Sequence, residues 1–216
     1  AASISWFARW CACSMISFAL ARASTTDAQA TVMKMGDGGF RPAYNPQLAS
    51  DVDSLVIVGV EVATAGSDQG QMVPMIEQVR ERCGQAPEAW LVDGGFVGHQ
   101  QVEQASAHTT VYGPVPAAKD KTVDPHQPKP DDSPAVAAWR ARMGTDEAKA
   151  IYKNRAATAE CVNAQSRNRG LQQFRVRGLA KVKCVVLFFA LAHNLMRMAS
   201  LAPEMLALGK GASAVS

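Results

Sequence analysis

The sequence predicts an α/β fold, a central mixed sheet with helices outside it, and three stretches carry that prediction. Leu55–Thr64 (LVIVGVEVAT) is an apolar, β-branched run of strand length. Ala89–Phe96 (AWLVDGGF) is a short apolar run that delivers Asp93 just before two glycines. Thr145–Gly170 is a long polar stretch with helical spacing. Strand and helix signals alternate between and around these, which is the order of a mixed sheet covered by helices.

Composition sets the bounds. A chain of 216 residues with 48% hydrophobic and 19% charged residues can bury a sizeable core, and wholesale disorder is excluded. Five scattered cysteines (Cys11, Cys13, Cys83, Cys161, Cys184) contain no CxxC pair, so neither a disulfide framework nor a zinc site is indicated and a cytoplasmic setting is expected. The four histidines (His99, His108, His126, His193) lack ligand spacing and read as packing or surface residues. The chain opens on Ala1 and reads as starting inside a longer frame. Residues 4–21 are apolar and end near small residues, so a signal peptide is one reading; Arg9 interrupts the run and no basic cluster precedes it. The apolar run Cys184–Ala192 is too short to span a bilayer, and no membrane partner is expected.

In chain order, residues 1–24 have no clear period and form an atypical N-terminal stretch. The main domain is expected over 25–202, with a tail at 203–216. GDGG at Gly36–Gly39 has turn chemistry, and a short segment around Ala43–Ser50 pairs with Leu55–Thr64 as a hairpin turning near Asp51–Ser54. Asp68, with Gln71 three residues on, reads as the N-cap of a helix that runs to Gly84. After the buried strand Trp90–Val92 come a helix over Gly98–Ser106 and the strand TTVYGPV. Residues 117–134 carry four prolines among many charges and read as a mobile insertion. A helix opens at Ser133-Pro134 and runs to Met143. The last helix, about Leu179–Ala202, stacks Leu179, Val182, Val186, Phe189 and Met196 as its core face.

The chemistry concentrates in Thr145–Gly170. At about 100° per residue, Lys149, Tyr152, Ala156, Glu160, Asn163 and Arg167 share one polar stripe with Arg155 at its flank. Between Lys149 and Lys183 nine cations (Lys149, Lys153, Arg155, Arg167, Arg169, Arg175, Arg177, Lys181, Lys183) face one acid, Glu160, whereas the whole chain carries only +3. Glu160 reads either as a salt-bridge partner or as a metal-ligating carboxylate on a phosphate-binding surface. Asp93 reads either as a turn aspartate or as an acid at the mouth of a sheet, where sites form.

Three pieces in order resemble the insertion-sequence transposases with a DDE catalytic triad on a ribonuclease-H-like fold. Tyr152, Arg155, Glu160 and Arg167 resemble that family's tyrosine, arginine, glutamate and basic signature; LVDGGF around Asp93 is similar to its second-aspartate strand, and LAHNLMRM at Leu191–Met198 to its closing helix. The resemblance spans roughly residues 22–200. It implies a transposase DDE domain with a ribonuclease-H-like central sheet, metal-dependent cleavage and transfer of DNA strands, and Mg²⁺ (or Mn²⁺) as cofactor. It further implies Asp93 and Glu160 as catalytic metal ligands, and Tyr152, Arg155, Arg167, Lys149 and Lys153 as contacts to double-stranded DNA at the element ends, with a homodimer as a candidate assembly. The family's first aspartate stands on the first strand in an Asp-Gly-Thr-like context that this sequence lacks. The expectation is therefore an incomplete, inactive copy missing its first strand, with Asp27 the one early candidate for a substitute. A non-catalytic DNA-binding remnant and a structural α/β domain with an incidental basic helix are the alternatives.

Overall fold

The computed structural model describes residues 24–35, 38–118, 120 and 122–203, and for Glu160 the backbone alone. The signal-peptide and N-terminal readings, and the tail beyond 203, fall outside the described residues. The elements run β1 (Thr31–Lys34), β2 (Phe40–Ala43), β3 (Asn45–Ser50), β4 (Ile57–Ala63), α1 (Met72–Cys83), β5 (Ala89–Leu91), α2 (His99–Ala105), β6 (Thr110–Tyr112), α3 (Pro134–Met143), α4 (Asp146–Asn168) and α5 (Leu179–Leu201).

The β3–β4 hairpin forms as its sequence demands. It runs antiparallel from Asn45↔Ala63 to Ser50↔Ile57, with an irregularity between Ala49 and Ser50. Alternation along β4 sends its two faces to two different helices. Ile57, Val60 and Val62 join Val182, Val186 and Ala190 of α5, while Ala49 on β3 joins Met75 and Val79 of α1. Gly59 is required by that second contact, because a Cβ there would lie 2.5 Å from Met75 Sδ and 3.1 Å from Val79 Cγ2. A third cluster gathers α1, α2, α3, β6 and the start of α4 around fully buried Trp139, whose Nε1 donates to Gly113 O at 3.2 Å.

The expected single central sheet is not what the described residues form. They make three two-stranded ladders: β1–β2 antiparallel, β3–β4 antiparallel and β5–β6 parallel. The class is mixed α/β, but a groove separates β3 from β5 where a continuous sheet would be paired. The small β1–β2 ladder flanks the expected Gly36–Gly39 turn; Pro42 and the four-residue strand lengths hide it from period-based reading.

Other elements match, and four details are corrected. The first helix starts at Met72, not after Asp68: its N-cap is Gln71, without a side-chain cap bond. Asp68 is drawn away because Asn45 Nδ2 and Gln47 Nε2 both donate to its Oδ1 at 2.7 Å. The strand at Trp90 is only half-buried, since one of its edges faces the groove. The core face of α5 is Val182, Val186, Ala190 and His193, one helical stripe, whereas Met196 is exposed. Finally, residues 117–134 are tied to the core by Asp132, which pairs with Arg140 of α3 at 2.7 Å with both side chains almost fully buried.

Helix α5 is long and apolar enough by composition to cross a membrane, with mean hydropathy 1.6. Here it is held on the hairpin instead. His193 Nε2 bonds Leu55 O at 2.7 Å, Arg197 Nε donates to Ser54 O at 2.7 Å, and Asn194 caps both backbone groups of Ile57 at 2.8 Å. The clamp holds a turn in which Leu55 adopts φ 59, a left-handed conformation unusual for leucine. Asn194→Ala would leave the Ile57 N–H and C=O unpaired, at about 1–3 kcal/mol for each buried group. A urea unfolding midpoint unchanged in that variant would contradict the clamp.

Candidate functional site

The groove has a volume of about 910 Å³ and is walled by β3 and the turn after it, α1, the approach to β5, and α4. Its polarity along the strands follows from Asp68. That carboxylate, held by Asn45 and Gln47 at the start of β3, also lies against Gly95 just beyond the end of β5. At the other end, Ser50 and Asp51 line the groove together with Gln85–Glu88, which lead into β5. Strands β3 and β5 therefore run antiparallel across the gap.

Asp93 follows β5, whose ladder is extended by a 2.9 Å bond from Val92 N to Tyr112 O. Its Oδ1 accepts from Gly95 N at 2.9 Å, an Asx turn. Its Oδ2 accepts from Arg155 Nη2 at 3.0 Å. Helix α4 supplies that arginine because Thr145 caps its start, accepting from Ala148 N, and because Val162, Thr158 and Ser166 turn inward on its buried face. Tyr152, one turn before Arg155, packs against the Trp139 cluster. Burial pushes its hydroxyl pKa up, with Arg155 opposing and Asp93 adding to the shift.

Asp68 is the site residue that sequence reading missed. A Cβ on Gly95 would meet Asp68 Oδ2 at 3.1 Å and Asp93 Oδ1 at 3.2 Å, so the two carboxylates flank one glycine. The signal available in the sequence was only the pair of amides at Asn45 and Gln47, which point to the same side of a strand.

The other expected site residues divide. Glu160 lies on α4, the helix that lines the groove through Arg155, Thr158, Ala159 and Asn163, but its side chain is outside the described residues. Lys149 is exposed and bonds Asp146 at 3.2 Å, while Lys153 and Arg167 are exposed on the same helix. Asp27 is not at the groove. It accepts from Gly178 N at 2.9 Å and Tyr44 Oη at 2.8 Å, tying the start of α5 to the segment before β3. Gly178 leads its pKa below the usual carboxylate range, against the effect of burial. That contact and the hydrogen bond to Tyr44 make Asp27 a structural anchor.

Among the described residues no group of three potential ligands converges. Asp93 meets Arg155 with one oxygen and Gly95 N with the other, and Asp68 Oδ1 holds two amides. A guanidinium already neutralising a carboxylate competes with a cation for it, so these two side chains as arranged do not fit a magnesium centre.

Fold and groove define a mixed α/β protein with two carboxylates at one end of a sheet gap and a cationic helix along it. Residues 118–199, less than half of the chain, match a family model described as "Transposase DDE domain". The match takes in α3, α4 and α5 with Tyr152, Arg155, Glu160 and Arg167, and does not reach Asp68 or Asp93. Comparison with curated proteins and with solved structures gives no match.

Proposed function

We propose that this chain is a transposase DDE domain on a ribonuclease-H-like plan that binds double-stranded DNA through the exposed cations of α4 and the segment after it, and that does not cut DNA in the arrangement seen. The observation that carries this reading is the 3.0 Å contact between Arg155 and Asp93. It occupies the carboxylate that metal-dependent chemistry would need, while Lys153 and Arg167 on the same helix remain exposed to phosphate. Two-metal hydrolysis holds ions about 3.5–4 Å apart between bridging carboxylates and the scissile phosphate. Asp68 and Asp93 supply two acids, each already engaged, and Glu160 on α4 would be a third.

The test is a strand-cleavage assay with the purified chain, labelled duplex DNA and Mg²⁺ or Mn²⁺. DNA is expected to shift in a gel without being nicked. Nicking that disappears in Glu160→Gln would show a working carboxylate set and overturn the inactive reading. Absence of any shift would overturn the DNA-binding reading.

A further inference from the structure

Helix α5 is apolar on the side that faces away from the protein as well as on the side it buries. Its buried stripe, Val182, Val186, Ala190 and His193, sits on the hairpin. Half a turn away, Leu187, Phe188, Leu191 and Leu195 are 39%, 65%, 54% and 49% exposed, with exposed Cys184, Ala192 and Ala199 around them. Helical spacing puts no charged residue on that outward side after Lys181. A helix that is apolar all round is ordinarily covered all round, and a contiguous exposed patch of this kind marks a contact surface.

We propose that the outward face of α5 pairs with the same face of a second copy of this chain, the two helices running antiparallel. The spacing selects a helix as the cover. Cys184, Phe188, Leu191, Leu195 and Met198 recur at alternating steps of four and three, which is the seam of a coiled coil. A lipid surface fits less well, because a helix lying on lipid does so with a basic polar face, whereas the polar groups of α5 (His193, Asn194, Arg197) are bonded to the hairpin.

Charge sets the orientation. Helix α5 has no acid; Lys181 and Lys183 stand near its start, and its last turn has no basic residue. Parallel pairing would set Lys181 beside the partner's Lys181. With a two-fold axis midway between Leu191 and Leu195, antiparallel pairing separates those two cations by about 36 Å along the helix at 1.5 Å per residue. It also turns each toward the partner's C-terminal end, where helix carbonyls favour a positive charge. The same axis puts Leu191 against the partner's Leu195, and Phe188 against the partner's Met198, a sulfur–aromatic contact.

Area sets the strength. At roughly 200 Å² per large side chain, Leu187, Phe188, Leu191 and Leu195 offer about 400 Å² per copy. The pair therefore buries about 800 Å² from these residues alone, and the small side chains between them bring it toward the roughly 1,200 Å² at which specific interfaces begin. That describes a reversible dimer. The inference rests on α5 and stands whether or not the chain binds DNA.

Sedimentation of the full chain tests it. The parent should dimerise reversibly with a Kd on the order of 1–100 µM. Leu191→Glu with Leu195→Glu should weaken the dimer at least about tenfold, while leaving the urea unfolding midpoint of dilute protein unchanged, because both side chains are exposed in the single copy. Orientation is read from mixing: Phe188→Lys and Met198→Glu chains should each dimerise poorly alone and recover on mixing, since only antiparallel helices bring those two positions together. A parent that stays monomeric up to about 200 µM would overturn the proposal, as would a dimer that survives the double glutamate variant. Failure of the mixed chains to recover would overturn the antiparallel arrangement. Monomeric parent that binds phosphatidylcholine vesicles, with binding lost in the double variant, would give the face to lipid and overturn it as well.

Discussion

Arg140→Met should destabilise the protein by about 3–5 kcal/mol, the cost of leaving one member of a buried ion pair without its partner. Asp132 and Arg140 expose only 3% and 4% of their side chains. The guanidinium is fully committed: Nε to Asp132, Nη1 to Pro125 O at 3.1 Å and Nη2 to His99 Nε2 at 3.0 Å. Burial pushes the Asp132 carboxyl up, but the Lys129 N–H and Arg140 outweigh it and hold the group below the usual carboxylate range. A depressed carboxylate adds stability above the unfolded-state pKa of about 3.9 and loses it as pH falls through the folded value. Without Arg140 the balance shifts toward burial, and protonation relieves the penalty. The stability difference between parent and variant should therefore shrink as pH drops below about 5. Urea unfolding across pH 3–7 measures it. A constant difference over that range, or a loss under about 1 kcal/mol, would mean that the pair behaves as a surface contact.

That pair also marks where reading the sequence stops. The proline-rich, charged stretch 117–134 has the composition of a linker, and each local signal agrees: Asp120 and Asp124 form turns with Thr122 and His126. What composition cannot tell is that Asp132 meets an arginine eight residues ahead on α3, because Arg140 looks like one of two cations in the last turn of a short helix. Long-range polar pairing has no period.

The hairpin, the helix ends at Gly84 and Thr145, and the strand before Asp93 were legible because each is set by local rules of alternation, capping and turn chemistry. Asp68 was misassigned by one of those rules. An aspartate three residues before a glutamine satisfies a cap pattern, yet two side-chain amides from β3 hold it more firmly than the helix end would. Tertiary partners override local preference wherever they offer more bonds. Arg155 is a related case. Its spacing placed it beside the polar stripe of α4, but its partner, Asp93, is 62 residues away and follows from packing alone.

That pairing changes what the basic segment can do with DNA. Binding should weaken by roughly 10²- to 10³-fold between about 50 and 200 mM salt, because each neutralised phosphate contributes about −0.9 to the slope of log affinity against log salt. Of the nine cations, Lys149 pairs with Asp146 at 3.2 Å, Arg155 is spent on Asp93 and Lys183 on Glu61 at 2.8 Å, and Arg169 lies 3.4 Å from His193 Nδ1. Lys153, Arg167, Arg175, Arg177 and Lys181 are exposed and form no ion pair among the described residues. Five phosphate contacts give a slope near −4.5 at most, below what nine would give. Lys153 and Arg167 stand about 21 Å apart along one side of α4 at 1.5 Å per residue, so they address phosphates on a single duplex face. Lys153→Ala and Arg167→Ala should each reduce the slope by about 1. Arg155→Ala should reduce it less, since removing that cation also frees the Asp93 charge it was neutralising. Fluorescence anisotropy with a labelled duplex over a potassium chloride series measures all three. Affinity that is flat with salt, or a larger slope change for Arg155→Ala than for Arg167→Ala, would contradict this assignment of the DNA-binding face.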